Sequence, residues 1–241
     1  FYKQHILFLK EHATDPDKRR YAVAAEGARH FIDIDHYGAY PYALLPRGWE
    51  DAVCLFTEDT LQKYGIVPWH IAVMQARLTC AFINKDIPAI LNTSAELGHY
   101  VADAHVPLHA SSNHNGQFTG QQGIHGFWES RVPELLAEQH FSFWVGKANY
   151  IPNIQSFIWD RVLESALAAD TVLAVERLLD IRTPPALKYA FEERKGIWVK
   201  QYSTDYTIAF DNDLHGMVER RMQASVLAVA SFWYTAWVNA G

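Results

Sequence analysis

His99-Tyr-Val-Ala-Asp103-Ala-His-Val-Pro107-Leu-His109 sets two metal-ligand residue types four positions apart, then a proline, then a third ligand type. Residues four apart share a helix face, so a helix through this stretch points His99 and Asp103 the same way. Pro107 stops that helix and leaves His109 past its end, free to turn back toward the same space. Sixteen residues further on, His125-Gly-Phe-Trp-Glu129 repeats the four-residue spacing. Five imidazole and carboxylate groups within 31 residues suit zinc, which takes nitrogen from His and oxygen from Asp or Glu. One His-x-x-x-Glu pair alone reads as an ordinary surface pair. Two of them flanking Pro-Leu-His read as a metal site.

The helical pattern extends in both directions. The helix carrying His99 and Asp103 is expected over about Ile87 to His105, preceded by helices from Trp49 to Tyr64 and from Pro68 to about Asn84. A first helix runs to about Glu11, and Asp15-Pro16 opens a second, with Asp as N-cap and Pro at the first helical position. Asp33 to Gly48, aromatic and Pro-rich, reads as a long ordered loop, a length that usually carries function. Ala110 to Gly123 is a polar loop suited to a lid or rim, and the second motif helix begins near Gly123. The rest reads as three or four long helices broken at Pro152, at Pro184-Pro185 and near Asp211-Asn212. No alternating Val/Ile-rich run of strand type is evident. The expectation is one all-α domain over 1–241.

Composition sets outer limits. At 241 residues, with 49% hydrophobic and 20% charged residues, the chain can bury a sizeable core. Its net charge of −6 argues against a protein that holds duplex nucleic acid through phosphates. Three divalent ions would add six positive charges in one cleft, which fits a small phosphate-bearing substrate or a flexible strand. Cys54 and Cys80 make neither a disulfide scaffold nor a Cys-based zinc finger, and read as free buried thiols. Val226 to Trp237, the longest apolar run, is short and reads as a core helix, not a membrane span. Phe1-Tyr-Lys-Gln-His5 begins in mid-helix without a capping residue, so a native segment is expected ahead of it.

Five ligands are too many for one tetrahedral zinc, which directs attention upstream to Asp15 and to Arg29-His30-Phe31-Ile32-Asp33. Here the chain resembles the zinc-dependent phospholipase C and single-strand nuclease superfamily. Residues 99–109 match its His-Tyr-x-x-Asp-x-x-x-Pro-x-His hallmark, and His125 and Glu129 match its downstream pair. Asp15 precedes the His30-Phe31-x-Asp33 segment by the fourteen or fifteen residues that the family shows. The resemblance covers roughly residues 13–130. It implies a multi-helix bundle with a multinuclear zinc site at one end. One zinc would take Asp15, His30, His99 and Asp103, and a second His109, His125 and Glu129. A third is held in the family by an N-terminal Trp, a nearby His and the Asp matching Asp103. This chain starts with Phe, and His5 lies in an amphipathic helix, so a preceding segment of some twenty residues is expected to supply that site.

The resemblance implies hydrolysis of phosphodiesters by metal-activated water, with Asp103 bridging and Asp15 able to act as general base. Phe31 and Asp33 match a base-stacking and base-binding pair in the nuclease branch, although a Phe beside a ligand reads equally as wall packing. The nuclease branch carries an Arg three residues after its Asp ligand, where this chain has Lys18. Lys18-Arg19-Arg20 also reads as a solvated helix face. Glu129 and the short step from His109 to His125 resemble the phospholipase side, so a phospholipase C-like enzyme is expected first and a single-strand-specific nuclease/3′-nucleotidase second. A non-catalytic helical protein with structural zinc is the reading from another class. Family members are generally secreted or periplasmic, and the same is expected here.

Overall fold

The computed structural model describes residues 1–241, and its architecture is all-α. The N-terminal part holds α1 (Ile6–His12) and α2 (Asp15–Arg19), then short 3-10 turns at Ala24–Arg29 and Ile34–Tyr37. Next come α3 (Trp49–Phe56), α4 (Glu58–Tyr64), α5 (Val67–Ile83) and α6 (Ile87–Asp103). After the polar loop follow α7 (Ile124–Gly126), a π-helical turn at Phe127–Arg131, and α8 (Val132–His140). The C-terminal part comprises α9 (Ile154–Arg182), α10 (Pro185–Lys188), α11 (Thr204–Asp213) and α12 (Met217–Asn239).

Local chemistry sets most of these ends. The Asp86 carboxylate accepts from the Ala89 amide at 3.1 Å and Pro88 lies in the first turn, so α6 starts where a cap and a proline coincide. Asn153 caps α9 and Ser203 caps α11 in the same way. The single helix expected from Trp49 to Tyr64 is two, because Thr57 leaves helical geometry at φ +67° and its side chain caps α4. The N-cap expected at Asp15 is also corrected. Thr14 holds that position, and the Asp15 side chain turns to His12 and Lys18 instead.

Two apolar clusters hold the bundle. The larger joins α5, α6, α9 and α12 around Leu78, Leu97, Tyr100, Trp159 and Phe232. Each such fully buried side chain contributes roughly 1.5–3 kcal/mol. The smaller gathers Val106, Leu108, Ile124, Phe127, Tyr206 and Phe210. The segment after α6 passes from one cluster to the other, since Tyr100 and Ala104 belong to the first and Val106 and Leu108 to the second. Asp103 therefore lies at the seam. The run Val226 to Trp237 falls within α12, whose Ala228, Phe232 and Ala236 are buried in the larger cluster. No single helix is long and apolar enough to cross a membrane.

Two expectations fail outside the core. The chain does contain strands, β1 (Tyr189–Arg194) and β2 (Ile197–Tyr202), paired antiparallel with Arg194 opposite Ile197. Lys195 and Gly196 both have positive φ, as a two-residue hairpin turn of the primed type requires. The hairpin is anchored by the buried Arg131, whose Nε donates to the Tyr202 carbonyl at 3.1 Å, and by Phe127 stacked on Tyr202 at 3.8 Å. The cysteines are free but exposed, because α3 and α5 turn those positions outward.

Candidate metal centre

Six potential ligands converge in two groups, with a seventh, Asp103, beside them. Asp17, His30 and His99 form one, and His109, His125 and Glu129 the other, with the ligand atoms of each group all within 4.8 Å. In the first, His99 Nε2 lies 3.1 Å from His30 Nδ1, and the Asp17 carboxylate is 3.9 and 3.8 Å from those two nitrogens. In the second, His109 Nε2 is 3.1 Å from His125 Nε2 and 3.5 Å from Glu129, with His125 2.7 Å from Glu129. Asp103 stands between them. Its Oδ2 is 2.9 Å from His30 and 3.4 Å from His99, while Oδ1 is 3.8 Å from His109 Nδ1.

These spacings fit a tetrahedral metal ion. Four ligands about 2.0–2.1 Å from a tetrahedral ion stand roughly 3.3 Å from one another, and the contacts within each group bracket that value. Ring nitrogens 3.1 Å apart and turned toward carboxylates also match lone pairs that share a cation. The tautomers agree. His109 Nδ1 donates to the His30 carbonyl at 2.6 Å, which leaves its Nε2 lone pair for the group it faces. His30 presents Nδ1 to its group, while its buried Nε2 lacks a hydrogen-bond partner and has the Glu26 carboxylate 3.7 Å away.

The chain positions these side chains through its backbone. His99 and Asp103 lie one turn apart on α6, and His109 sits in the 3-10 turn Pro107–Ala110. The Ile32 amide donates to the His109 carbonyl at 2.8 Å, tying that turn to the His30 segment. Val67 and Ile66 donate to the Phe31 and Ala28 carbonyls from the other side. Gly65 at φ +90° permits this approach, since a Cβ there would meet the Phe31 carbonyl oxygen at 2.2 Å.

Behind the first group lies a buried ionic hub. Glu26 is fully buried and accepts from Arg19 at 2.9 Å, from Arg29 at 2.6 Å and from the Tyr100 hydroxyl. Burial opposes its charge, but Arg19 and Tyr100 outweigh that and hold its carboxyl down at about 2. Around the second group, burial disfavours a charged His109, yet Asp103 and Glu129 override it and raise the pKa to about 9. Burial likewise opposes the Glu129 charge, and His109 and His125 reverse this to bring its carboxyl below the usual range. The balance marks a concentration of negative charge that attracts a cation.

Asp103 floors a cleft of about 490 Å³ whose walls include Phe31, Asp33, His114, Ser130 and Arg20. Burial, with the Asp35 charge nearby, pushes the Asp33 carboxyl up to about 6. His105 does not line this cleft. Its ring is buried, with Nδ1 donating to the Val101 carbonyl at 2.7 Å.

The structure brings His30, His99, Asp103, His109, His125 and Glu129 together as expected from the sequence, but not Asp15. That carboxylate is held outside the groups by His12 at 2.6 Å and Lys18 at 2.7 Å. Asp17, two residues on, faces His30 and His99 in its place. Lys18 is likewise turned away, toward Asp15. Arg20 is the cation on the cleft, and Arg19 is directed inward to Glu26 and Glu96. Asp17, Arg20 and Glu26 were not read from sequence. A helix of only five residues has no periodicity to set its phase, and of the Glu26 partners only Arg29 is local in sequence.

Asp17→Asn is expected to weaken zinc binding by about 100-fold or more, while Asp15→Asn leaves it unchanged, as measured by competition with a chromogenic chelator. Loss confined to Asp15→Asn would restore Asp15 as the ligand. No family model matches this chain, and no curated protein matches it.

Proposed function

We propose that this chain is a zinc-dependent phosphoric ester hydrolase that cleaves phosphodiesters. The observation that carries this reading is the carboxylate of Asp103 set between two three-residue ligand groups on the floor of an open cleft. Bound zinc would supply a hydrolytic nucleophile at neutral pH and a clamp on phosphoryl oxygens. The residues of the chain would do the rest. Arg20, 3.6 Å from Asp17, offers a planar fork to the phosphate. Asp17 takes over the general-base role that sequence reading gave to Asp15. Phe31 presents a ring to the group beyond the phosphate, and the Asp33 carboxylate, its pKa raised by burial to about 6, can accept a hydrogen bond there.

Arg20 also bears on the substrate. With Asp17 as the ligand, Arg20 lies three residues after it, the spacing described above for the nuclease branch. The step from Asp17 to His30 becomes thirteen residues, one short of the family pattern. Arg20, Phe31 and Asp33 on one cleft favour single-stranded nucleic acid over a phospholipid head group. Glu129 in place of Asp is the feature that supports the phospholipase C-like reading.

Zinc-loaded protein offered single-stranded DNA and phosphatidylcholine vesicles at matched concentrations is expected to release nucleotides, and a chelator to stop it. Arg20→Ala should lower kcat/KM on the order of 100-fold. Phosphocholine release would move the protein to the phospholipase side. Neither product, with zinc confirmed in the protein, would make the metal structural.

A further inference from the structure

The buried Glu26 carboxylate stands behind two of the three members of the first ligand group. His30 turns Nδ1 toward that group, 3.1 Å from His99 Nε2 and 2.9 Å from Asp103. Its Nε2 faces away from the group, without a hydrogen-bond partner, and has Glu26 Oε1 3.7 Å from it. Arg19, two residues after Asp17 on α2, sends its Nε to the same carboxylate at 2.9 Å. We propose that Glu26 is the positioning residue of the first ligand group, holding His30 directly and Asp17 through Arg19. The inference rests on the metal site of the hydrolase reading above and is independent of which ester that site would cleave.

Electrostatics selects the tautomer of His30. A neutral imidazole carries a proton on one nitrogen and a lone pair on the other. His30 and Glu26 are 2% and 0% exposed, so bulk water does not mediate between them. The Glu26 carboxylate is ionised, with Arg19 and Arg29 both donating to it. A lone pair on His30 Nε2 would face this anion without relief, whereas a proton there faces it with the favourable sign. The proton therefore sits on Nε2, and Nδ1 offers its lone pair to the ligand group. A carboxylate behind a ligating imidazole fixes the ring and raises its basicity. In the second group His109 turns Nδ1 to a backbone carbonyl instead.

The same carboxylate sets the phase of α2. That helix is one turn of five residues with only Pro16 buried, too little apolar surface to hold Asp17 in one direction. Arg19 supplies the anchor. Its guanidinium reaches Glu96 at 2.7 Å and the Tyr100 hydroxyl at 3.1 Å, both on α6, the helix that carries His99. With Glu26 as the third acceptor, all three guanidinium nitrogens are engaged, a geometry that lysine cannot reproduce. Asp17 is thereby kept 3.9 Å from His30 and 3.8 Å from His99, although half of its side chain is exposed.

Cadmium NMR tests this, because it gives each ligand group its own resonance. Metal-free protein is titrated with cadmium chloride, and zinc affinities follow from chelator competition. Glu26→Gln, which keeps the shape and removes the charge, is expected to weaken the first group about 10–100-fold and leave the second within about threefold. Arg19→Lys is expected to weaken the first group about tenfold with the same selectivity. Nitrogen NMR of the metal-free wild type, which depends on no variant, should find the His30 proton on Nε2. A proton on Nδ1, an unchanged first group in Glu26→Gln, or equal losses at both groups, as a merely structural role would give, would overturn the proposal. Wild-type protein that takes up neither cadmium nor zinc would remove the metal site and the proposal together. A first group that depends on Glu26, in a protein that hydrolyses neither substrate, would uphold the proposal and sink the hydrolase reading.

Discussion

Asp103→Asn should weaken metal binding at the first ligand group most and lower kcat/KM on the order of 10³-fold or more, the equivalent of several kcal/mol of metal-supplied stabilisation. The carboxamide keeps the shape of the side chain, so the change tests charge and ligation, not packing. Asp103 Oδ2 lies against the ligand nitrogens of His30 and His99, and Oδ1 is 3.8 Å from His109 Nδ1, so the carboxylate charge reaches the second group through the His109 ring. Bound metal measured by elemental analysis and activity measured on the same samples should fall together. A metal-free readout follows from the charge: without the Asp103 carboxylate, the His109 pKa should drop from about 9, as NMR titration of the imidazole would show. Zinc content and rate both at wild-type level would remove Asp103 from the centre of the site.

Glu26→Ala is expected to destabilise the fold by about 3–5 kcal/mol, because removing one partner of a buried ionic cluster strands the others. Arg19 and Arg29 would lose their shared acceptor, and the buried Tyr100 hydroxyl its carboxylate. For a chain of this size that corresponds to a fall in Tm of about 10 °C. The pH dependence has a definite sign. The folded-state pKa of Glu26 is held at about 2, below the ordinary 4.5. Its contribution is therefore complete above about 4.5 and is lost as pH falls toward 2. The difference in Tm between wild type and variant should be largest near neutrality and shrink on acidification. Glu26→Gln, which keeps a hydrogen-bond acceptor, should lie between the two. A variant melting within a degree of wild type at neutral pH would show the hub to be dispensable.

The contrast between Glu26 and Asp103 shows which parts of the site the sequence made visible. Asp103 was legible because its neighbour His99 is one helical turn away and because α6 announces its own start with Asp86 and Pro88. The pair His125 and Glu129 was legible for the same periodic reason. Glu26 has one local partner, Arg29 three residues on, but Arg19 and Tyr100 lie 7 and 74 residues away. Asp15 rests on a spacing rule alone, and only three-dimensional placement shows that Asp17 is the carboxylate of this one-turn helix that faces His30 and His99. The hairpin had a readable signal in Lys195-Gly196 between two aromatic-rich runs. Its β-ladder depends on Arg131 and Phe127, which belong to a different part of the chain. The exposure of Cys54 and Cys80 likewise depends on helix phase, which residue type alone does not set.

The π-helical turn at Phe127–Arg131 separates two tasks that one continuous helix would have to share. His125 just upstream of it and Glu129 within it address the cleft, and downstream Val132 and Leu136 address the apolar interior. A π turn holds one residue more than an α turn, so the two halves read the same helical axis in different phases. Deleting a single residue from this turn would restore an unbroken α-helix and turn one half by about 100° relative to the other. Such a chain would have either its interior face or its ligands in place, but not both. The length of these five residues is therefore as much a part of the site as the ligands themselves.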